Sequence, residues 1–404
     1  MKVLLCHNFY KLPGGEDQVF DAEGWLLRSR GHDVVTFTRH NDAVDKMSRL
    51  ELARKTFWNR ETYDELRELI RREKPDLMHC TNIFPLISPA AYDAARAESV
   101  PVIQSLHNYR LMCPGALLLR DGRVCEKCVD SRTFWPGVLH ACYRGSYAAS
   151  AVVAGMLSVH KARGTWADKV DRYIALTEFS RRKFIQAGLP EFKVDVKPNF
   201  IQGEPAPGEG RGDYVVYVGR LSPEKGIDTL LDAWSRLDQQ IPLHIVGDGP
   251  MADRVAEAAQ NNPTIRWLGG IPHDEVLDIV GDARFLVFPS KWHETFGLTV
   301  IEAFAKGTPV VVAWMGAMRE LVDDGRTGLH FQAGDAAGLA AKAQQLWNDP
   351  NALIHMRKSA RSEYEAKFTA ERNYELLLDI YSRTLDQVAG AAESETVSPG
   401  AAIR

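Results

Sequence analysis

The chain has 404 residues, 45% of them hydrophobic and 25% charged, with a formal net charge of −4. A single core seldom grows past about 250–300 residues, so two domains are expected. The mild acidity leaves no overall footprint for a nucleic-acid partner, and the longest mostly apolar run, Ala148 to Val159, falls short of the ~18–20 residues of a membrane span.

MKVLLCHNF opens the chain as a buried strand, Lys2 to Phe9; its apolar run is too short for a signal peptide and no small-residue cleavage site follows. A Gly14-Gly15 turn leads into a helix from about Glu16 to Arg30, which Gly31 ends before a second strand at Asp33 to Arg39. This is a β-α-β unit, the building block of parallel sheets with helices on both faces. Asp76 to Cys80, Pro101 to His107 and Asp171 to Thr177 read as further strands. From Pro198 to Asp213 the chain runs PNFIQGEPAPGEGRGD, a linker composition with no core-forming pattern. A second series follows, YVVYVG, LHIVGDG, IRWLGG, FLVFPS and PVVVAW, each strand succeeded by a helical pattern. Short, continuously apolar strands belong to sheets buried on both faces. The expected fold class is α/β, two doubly wound Rossmann-like domains facing a cleft. The expected boundaries are 1–198 for the first domain, 199–212 for the linker and 213–365 for the second. A helix at 366–390 crosses back to the first domain, and a polar tail at 391–404 is expected to be disordered.

Six cysteines in a chain of this size do not make a secreted disulfide scaffold. Four of them, Cys113, Cys125, Cys128 and Cys142, lie within thirty residues. One C-x2-C knuckle with two flanking thiols suits a tetrahedral structural zinc, and LLLRDGRV between them reads as a hairpin turning at Asp121-Gly122. Four free thiols in a loop are the alternative. From Arg144 to Lys183 there are eight Lys and Arg against three Asp and Glu, mixed with apolar residues. Such a stretch fits peripheral contact with anionic lipid, or else a core helix with a solvated basic face.

Three motifs carry the chemistry. VGRLSPEKGID follows a strand directly, so Arg220 and Lys225, with Gly219 and Gly226 beside them, emerge at the ligand-binding edge of a parallel sheet. Two cations with glycines suit a diphosphate; surface cations before a helix are the plainer reading. VGDGP places Gly247, Asp248 and Gly249 after the next strand, where glycine admits a ring or ribose, or simply turns the chain. In HETFGLTVIE a helix starts near Thr295 to Leu298, leaving the amides of Phe296, Gly297 and Leu298 without intrahelical partners. Glu294 precedes that helix and Glu302 lies inside it, two carboxylates able to accept hydrogen bonds from a polyhydroxylated ligand.

Taken in this order on one sheet, Gly219-Arg220 with Lys225, Gly247-Asp248-Gly249, and Glu294-x-Phe296-Gly297 with Glu302 resemble the family-four glycosyltransferases, the large retaining group with the GT-B fold. The resemblance is strongest from Tyr214 to Gly328. It implies that Glu294 lies against the donor sugar, Glu302 binds the nucleotide ribose, and Arg220 with Lys225 holds the diphosphate leaving group. The backbone at Phe296, Gly297 and Leu298, with Thr299, would contact sugar and phosphate. Gly14 and Gly15 would approach the phosphates from the opposite domain, and His107 would stand near the reacting sugar carbon. Many members carry His-Asp there, whereas this chain has His107-Asn108, which removes a carboxylate at 108. No residue is implied as a nucleophile. The resemblance therefore implies retention by attack on the face the phosphate leaves, with the protein stabilising developing charge.

The function expected is a cytoplasmic retaining glycosyltransferase, peripheral on the inner membrane, using a nucleotide-diphosphate sugar and a glycan or lipid-linked acceptor of polysaccharide biosynthesis. No catalytic metal is expected, because Arg220 and Lys225 take its place; zinc at the cysteines would be structural. The rivals are a nucleotide-sugar epimerase or hydrolase of the same fold and a non-catalytic, zinc-stabilised binding module. A nicotinamide enzyme is disfavoured, since no G-x-G-x-x-G follows the first strand.

Overall fold

The computed structural model describes residues 1–396 apart from Pro13 and Asp238, with side chains described as far as residue 390. The first half builds a six-stranded parallel sheet from β1 (Lys2–Phe9), β2 (Asp33–His40), β3 (Leu77–Asn82), β4 (Val102–Leu106), β7 (Arg172–Ala175) and β8 (Val194–Val196), with the short hairpin β5 (Leu119–Arg120) and β6 (Arg123–Val124) inserted between β4 and β7. The order across the sheet is β2-β1-β3-β4-β7-β8. The second sheet, also parallel, contains β9 (Val215–Val218), β10 (Leu243–Val246), β11 (Ile265–Gly269), β12 (Phe285–Phe288), β13 (Val310–Ala313) and β14 (Gly328–Phe331) in the order β11-β10-β9-β12-β13-β14.

Burial explains the apolar runs. Every residue of β12 and β13 is buried, and a fully buried Val, Leu or Phe contributes roughly 1.5–3 kcal/mol. The strand order has a chemical consequence. The chain moves outward from β9 through β10 to β11, then returns to β12 on the other side of β9. The loops after β9 and β12 therefore lie side by side at the switch point, where ligands of such sheets bind. The first sheet switches in the same way between β1 and β3.

Several expectations are corrected in detail. The strands β8 and β14 were not expected; each is only 3 or 4 residues long and lies at a sheet edge. The stretch expected as a linker is docked rather than loose. The amides of Gly208, Gly210 and Gly212 donate to the carbonyls of Lys306, Gly281 and Asp282 at 2.9, 3.0 and 2.8 Å. The Arg357 guanidinium bonds the carbonyls of Gly208 and Gly281 together. The last helix, Ala370–Thr396, continues six residues beyond the expected end at 390, and 397–404 lie outside the described residues. Its Leu377, Ile380 and Tyr381 pack on Val3, Leu5, Leu77 and Ile103 of the first sheet, so the chain does cross back.

Candidate functional site

At the switch point Lys225 and Glu294 meet. Lys225 Nζ donates to Glu294 Oε1 at 2.6 Å, and the same oxygen accepts from Ser290 Oγ at 2.6 Å and from Trp292 Nε1 at 2.8 Å. Glu294 is 7% exposed, and Ser290 and Trp292 are buried with it. Three donors on one oxygen fix the carboxylate, each bond to a charged group contributing about 1.5–3 kcal/mol. Among the described residues Oε2 accepts no side-chain hydrogen bond. The ammonium sits 5.5 Å from the Trp292 ring and 5.8 Å from Phe288. One of its three N–H groups is used on Glu294, leaving two for a ligand. Ser290 and Trp292 were missed in the sequence, although Ser-x-Trp-x-Glu at alternate positions after a strand was a readable signal.

Arg220 is exposed on the same loop, whose carbonyl at 220 accepts from Tyr217 Oη at 3.0 Å. The neighbouring VGDGP loop is locked against it. Leu221 N donates to Asp248 O, and Met251 N to Leu221 O, both at 2.9 Å. Gly247 has φ +132°, and a Cβ there would lie 2.0 Å from the carbonyl oxygen of Gly219. Gly247 thus allows a close approach between two protein loops, and Gly249 likewise faces Leu221 O.

The helix begins at Leu298 and no side chain caps it. Gly297 has φ +154° and ψ 67°, and a Cβ would meet Met318 Cε at 2.5 Å, so glycine alone lets the chain turn into the helix here. Phe296 is buried, while Leu298 and Thr299 are half-buried at the helix start. Glu302, 5% exposed, has His273 Nε2 3.7 Å from its Oε1, its one charged partner among the described residues. Burial raises its carboxyl above the ordinary range, and His273 pulls the other way.

His107 follows β4, and Thr295 Oγ1 donates to its carbonyl at 2.8 Å. Thr177 Oγ1 in turn donates to Thr295 O at 3.2 Å, and Tyr109 stands edge-on to Trp292 at 6.5 Å. The HETFG segment is therefore clasped by the first domain. The His107 ring has a buried Nε2 without a partner. Burial pushes its pKa down to about 3, so the ring is neutral near neutral pH. The Gly14-Gly15 turn is organised by Asp17, which stands 2.7 Å from His7 Nε2 and accepts from Gly14 N at 2.9 Å. A Cβ at either glycine would touch nothing within 4 Å. Lys225 and Glu294 thus meet directly, and His107 joins them through Thr295. Glu302 sits deeper with His273, and Gly14-Gly15 stays on the first domain's side.

The cysteines stand apart. The hairpin expected between them forms, with Asp121 and Gly122 at φ 51° and 70°. Cys113 and Cys142 flank Gly115. Burial and the neighbouring thiols push Cys128 up to about 12 and raise Cys142. Among the described residues no three His, Cys, Asp or Glu side chains are placed to hold a metal ion. Cys113, Cys125 and Cys142 all lie close enough to Cys128 to act on its thiol, so the four cysteines share one corner of the first domain. The basic stretch is also largely neutralised: Lys169, Arg172, Arg182 and Lys183 pair with Asp93, Asp195, Glu320 and Glu126 from outside it.

Two parallel-sheet domains that meet at their switch points, with a cation, a fixed carboxylate and an uncapped helix start between them, have the GT-B architecture. A family model described as "Glycosyl transferase 4-like domain" matches residues 24–199, and one described as "Glycosyl transferases group 1" matches 204–363. The chain belongs to this family of glycosyltransferases. The glycogen synthase of Mycobacterium tuberculosis is 35% identical over 160 residues, 38% of this chain and 38% of that protein. The sulfoquinovosyl transferase SQD2 of Arabidopsis thaliana is 30% identical over 311 residues, 73% of this chain and 54% of that protein. The chain thus spans about two fifths to one half of the length of these relatives. HepE of Anabaena, solved in complex with UDP, shares the fold with a TM-score of 0.67 at 18% identity, covering 95% of this chain and 100% of that one.

Proposed function

We propose that the protein is a retaining glycosyltransferase that moves a sugar from a nucleotide-diphosphate sugar to a glycan or lipid-linked acceptor in polysaccharide biosynthesis. The observation that carries this reading is the Lys225–Glu294 pair at the switch point, clasped by the first domain through Thr295 and His107. Lys225 and Arg220, with the amides at Phe296, Gly297 and Leu298, stabilise charge on the departing diphosphate, the role a metal ion fills elsewhere. Glu294 holds sugar hydroxyls through Oε2, Glu302 accepts from the ribose, and neutral His107 lies near the anomeric carbon. The glycines at 14 and 15 leave room for phosphate from the other side. The C–O bond to phosphate breaks with its electron pair going to phosphate, the acceptor oxygen attacks the same face, and its proton passes to the phosphate. UDP in the HepE complex makes uridine the first base to test.

Peripheral membrane contact on the cytoplasmic side fits the exposed Trp135, Leu139 and Tyr147 and the exposed cations Arg144, Lys161 and Arg163 in the same part of the chain. Among the described residues no helix is long and apolar enough to cross a membrane. The test is release of nucleoside diphosphate from nucleotide sugars with and without added glycoside. Acceptor-dependent release with the anomeric configuration kept supports the reading; release that ignores the acceptor makes the protein a hydrolase, and interconversion of the sugar makes it an epimerase.

A further inference from the structure

One partly buried acid of the first domain is unused by that account. Glu16, at the start of the helix Gly15–Ser29, turns its carboxylate toward the residue next to His107. Its Oε2 accepts from Tyr10 Oη at 2.7 Å and from Asn108 Nδ2 at 3.3 Å. Asn108 is itself held in place: Oδ1 accepts from Arg110 N at 3.0 Å, and Nδ2 lies 3.4 Å from Tyr10 Oη. The other carboxylate oxygen, Oε1, is buried without any partner. A buried carboxylate oxygen left so costs about 1–3 kcal/mol, which a hydroxyl donor from a ligand would recover. Arg110 is occupied elsewhere, lying 4.4 Å from the Phe84 ring and 5.0 Å from Tyr143, with its guanidinium on Pro114 O.

We propose that Glu16, oriented by Tyr10 and Asn108, forms an acceptor subsite whose free Oε1 receives a hydroxyl of a neutral sugar ring. The proposal rests on the glycosyltransferase reading above and specifies its acceptor. The set offers a carboxylate, a phenol and an amide, which bind hydroxyls, while its one cation is committed to aromatic rings; an anionic phosphate placed here meets like charge. Glu16 is a positioning residue for the acceptor, separate from the groups that hold the nucleotide.

Burial raises the Glu16 carboxyl to about 6, against the Tyr10 and Asn108 hydrogen bonds and the nearby His7, with Asp17 on its own helix adding to the rise. Acceptor binding is therefore strongest above that pH and weakens as Glu16 takes up a proton. Asn108→Asp sets a second carboxylate beside it, and Tyr10→Phe removes a donor; each moves the midpoint upward.

The test uses the full chain, octyl glucoside, octyl galactoside, octyl mannoside and octyl N-acetylglucosaminide as acceptors, and the nucleotide sugar that binds best. For the glycoside turned over, Glu16→Gln raises the acceptor KM about 10- to 100-fold, leaves the nucleoside diphosphate Kd within about twofold, and flattens the pH profile. Asn108→Asp guards against a folding artefact, since it keeps Glu16 itself and the shape of its neighbour, exchanging only the Nδ2 donor for a carboxylate oxygen, and so is read by the midpoint. An unchanged acceptor KM in Glu16→Gln, or a midpoint unmoved in Asn108→Asp, overturns the proposal. So does a wild-type protein that binds nucleotide yet accepts none of the four glycosides. A wild-type protein that binds no nucleotide at all overturns the glycosyltransferase reading beneath it instead.

Discussion

Thr295 Oγ1 of the second domain donates to the main-chain carbonyl of His107 in the first, at 2.8 Å in a partly buried position. That bond sets the distance between the loop bearing Glu294 and the strand end bearing His107. Thr295→Val keeps the shape and removes the donor, at a cost near 1 kcal/mol, or about fivefold. The expected result is a fall of that size in kcat with the nucleoside diphosphate Kd within about twofold. A loss seen in Kd instead contradicts a domain-aligning role.

Lys225 and Glu294 are joined by a 2.6 Å bond but are assigned different work. Lys225→Ala removes a charge from the diphosphate and weakens nucleoside diphosphate binding by about 10- to 100-fold, the equivalent of about 1.5–3 kcal/mol. Glu294→Ala mainly lowers the rate of sugar transfer, because Lys225 and Arg220 remain to hold the diphosphate. Calorimetry with the nucleoside diphosphate and with the nucleotide sugar separates them. Equal losses in both ligands for both variants contradict the division.

Much of this was readable from the sequence, and the limits follow from geometry. Continuous apolar runs marked β9, β12 and β13, because strands covered on both faces have no polar side to disguise them. Edge strands of 3 and 4 residues, Val194–Val196 and Gly328–Phe331, carry too few residues to show a period. Glu294 and Lys225 stood out as residue types, but their contact could not: they are 69 positions apart and meet only because the sheet reverses direction between β11 and β12. The docking of Gly208, Gly210 and Gly212 escaped for the same reason, since its partners lie far along the chain. Gly247 was readable as a glycine needed for close approach, but not which atoms approach; they are the carbonyl of Gly219.

Glu302 gives a pH-dependent prediction. Its carboxyl is raised by burial, so the folded protein binds that proton more tightly than the unfolded chain does. Stability then falls as pH climbs from the unfolded value, about 4.3, through the folded one, and stays lower above it. Glu302→Gln removes this loss, so it melts higher than wild type at about pH 7 and level with it near pH 4. The same variant binds nucleotide more weakly, since an amide cannot accept with both atoms. A melting difference that does not change with pH contradicts the assignment.

Gly247→Ala tests the clamp between the two phosphate-side loops. The residue has φ +132°, and an added Cβ would lie 2.0 Å from Gly219 O, a backbone atom that cannot swing aside. Backbone strain of this kind costs on the order of 1–3 kcal/mol before the clash is counted. The variant is expected to melt lower and to lose nucleoside diphosphate affinity, because Arg220 and Lys225 ride on the displaced loop. A variant as stable as wild type, binding nucleotide normally, contradicts the clamp.

The most direct test of the central claim is thermal stabilisation by UDP, GDP, ADP and their sugar conjugates, on wild type and on Lys225→Ala. A ligand held only by the folded state adds about 2.7 kcal/mol at a hundred times its Kd. The account predicts that one base family raises the melting temperature of wild type and does so far less for Lys225→Ala. No shift with any nucleotide, or an equal shift in both proteins, would contradict a nucleoside-diphosphate site built on Lys225 and Glu294.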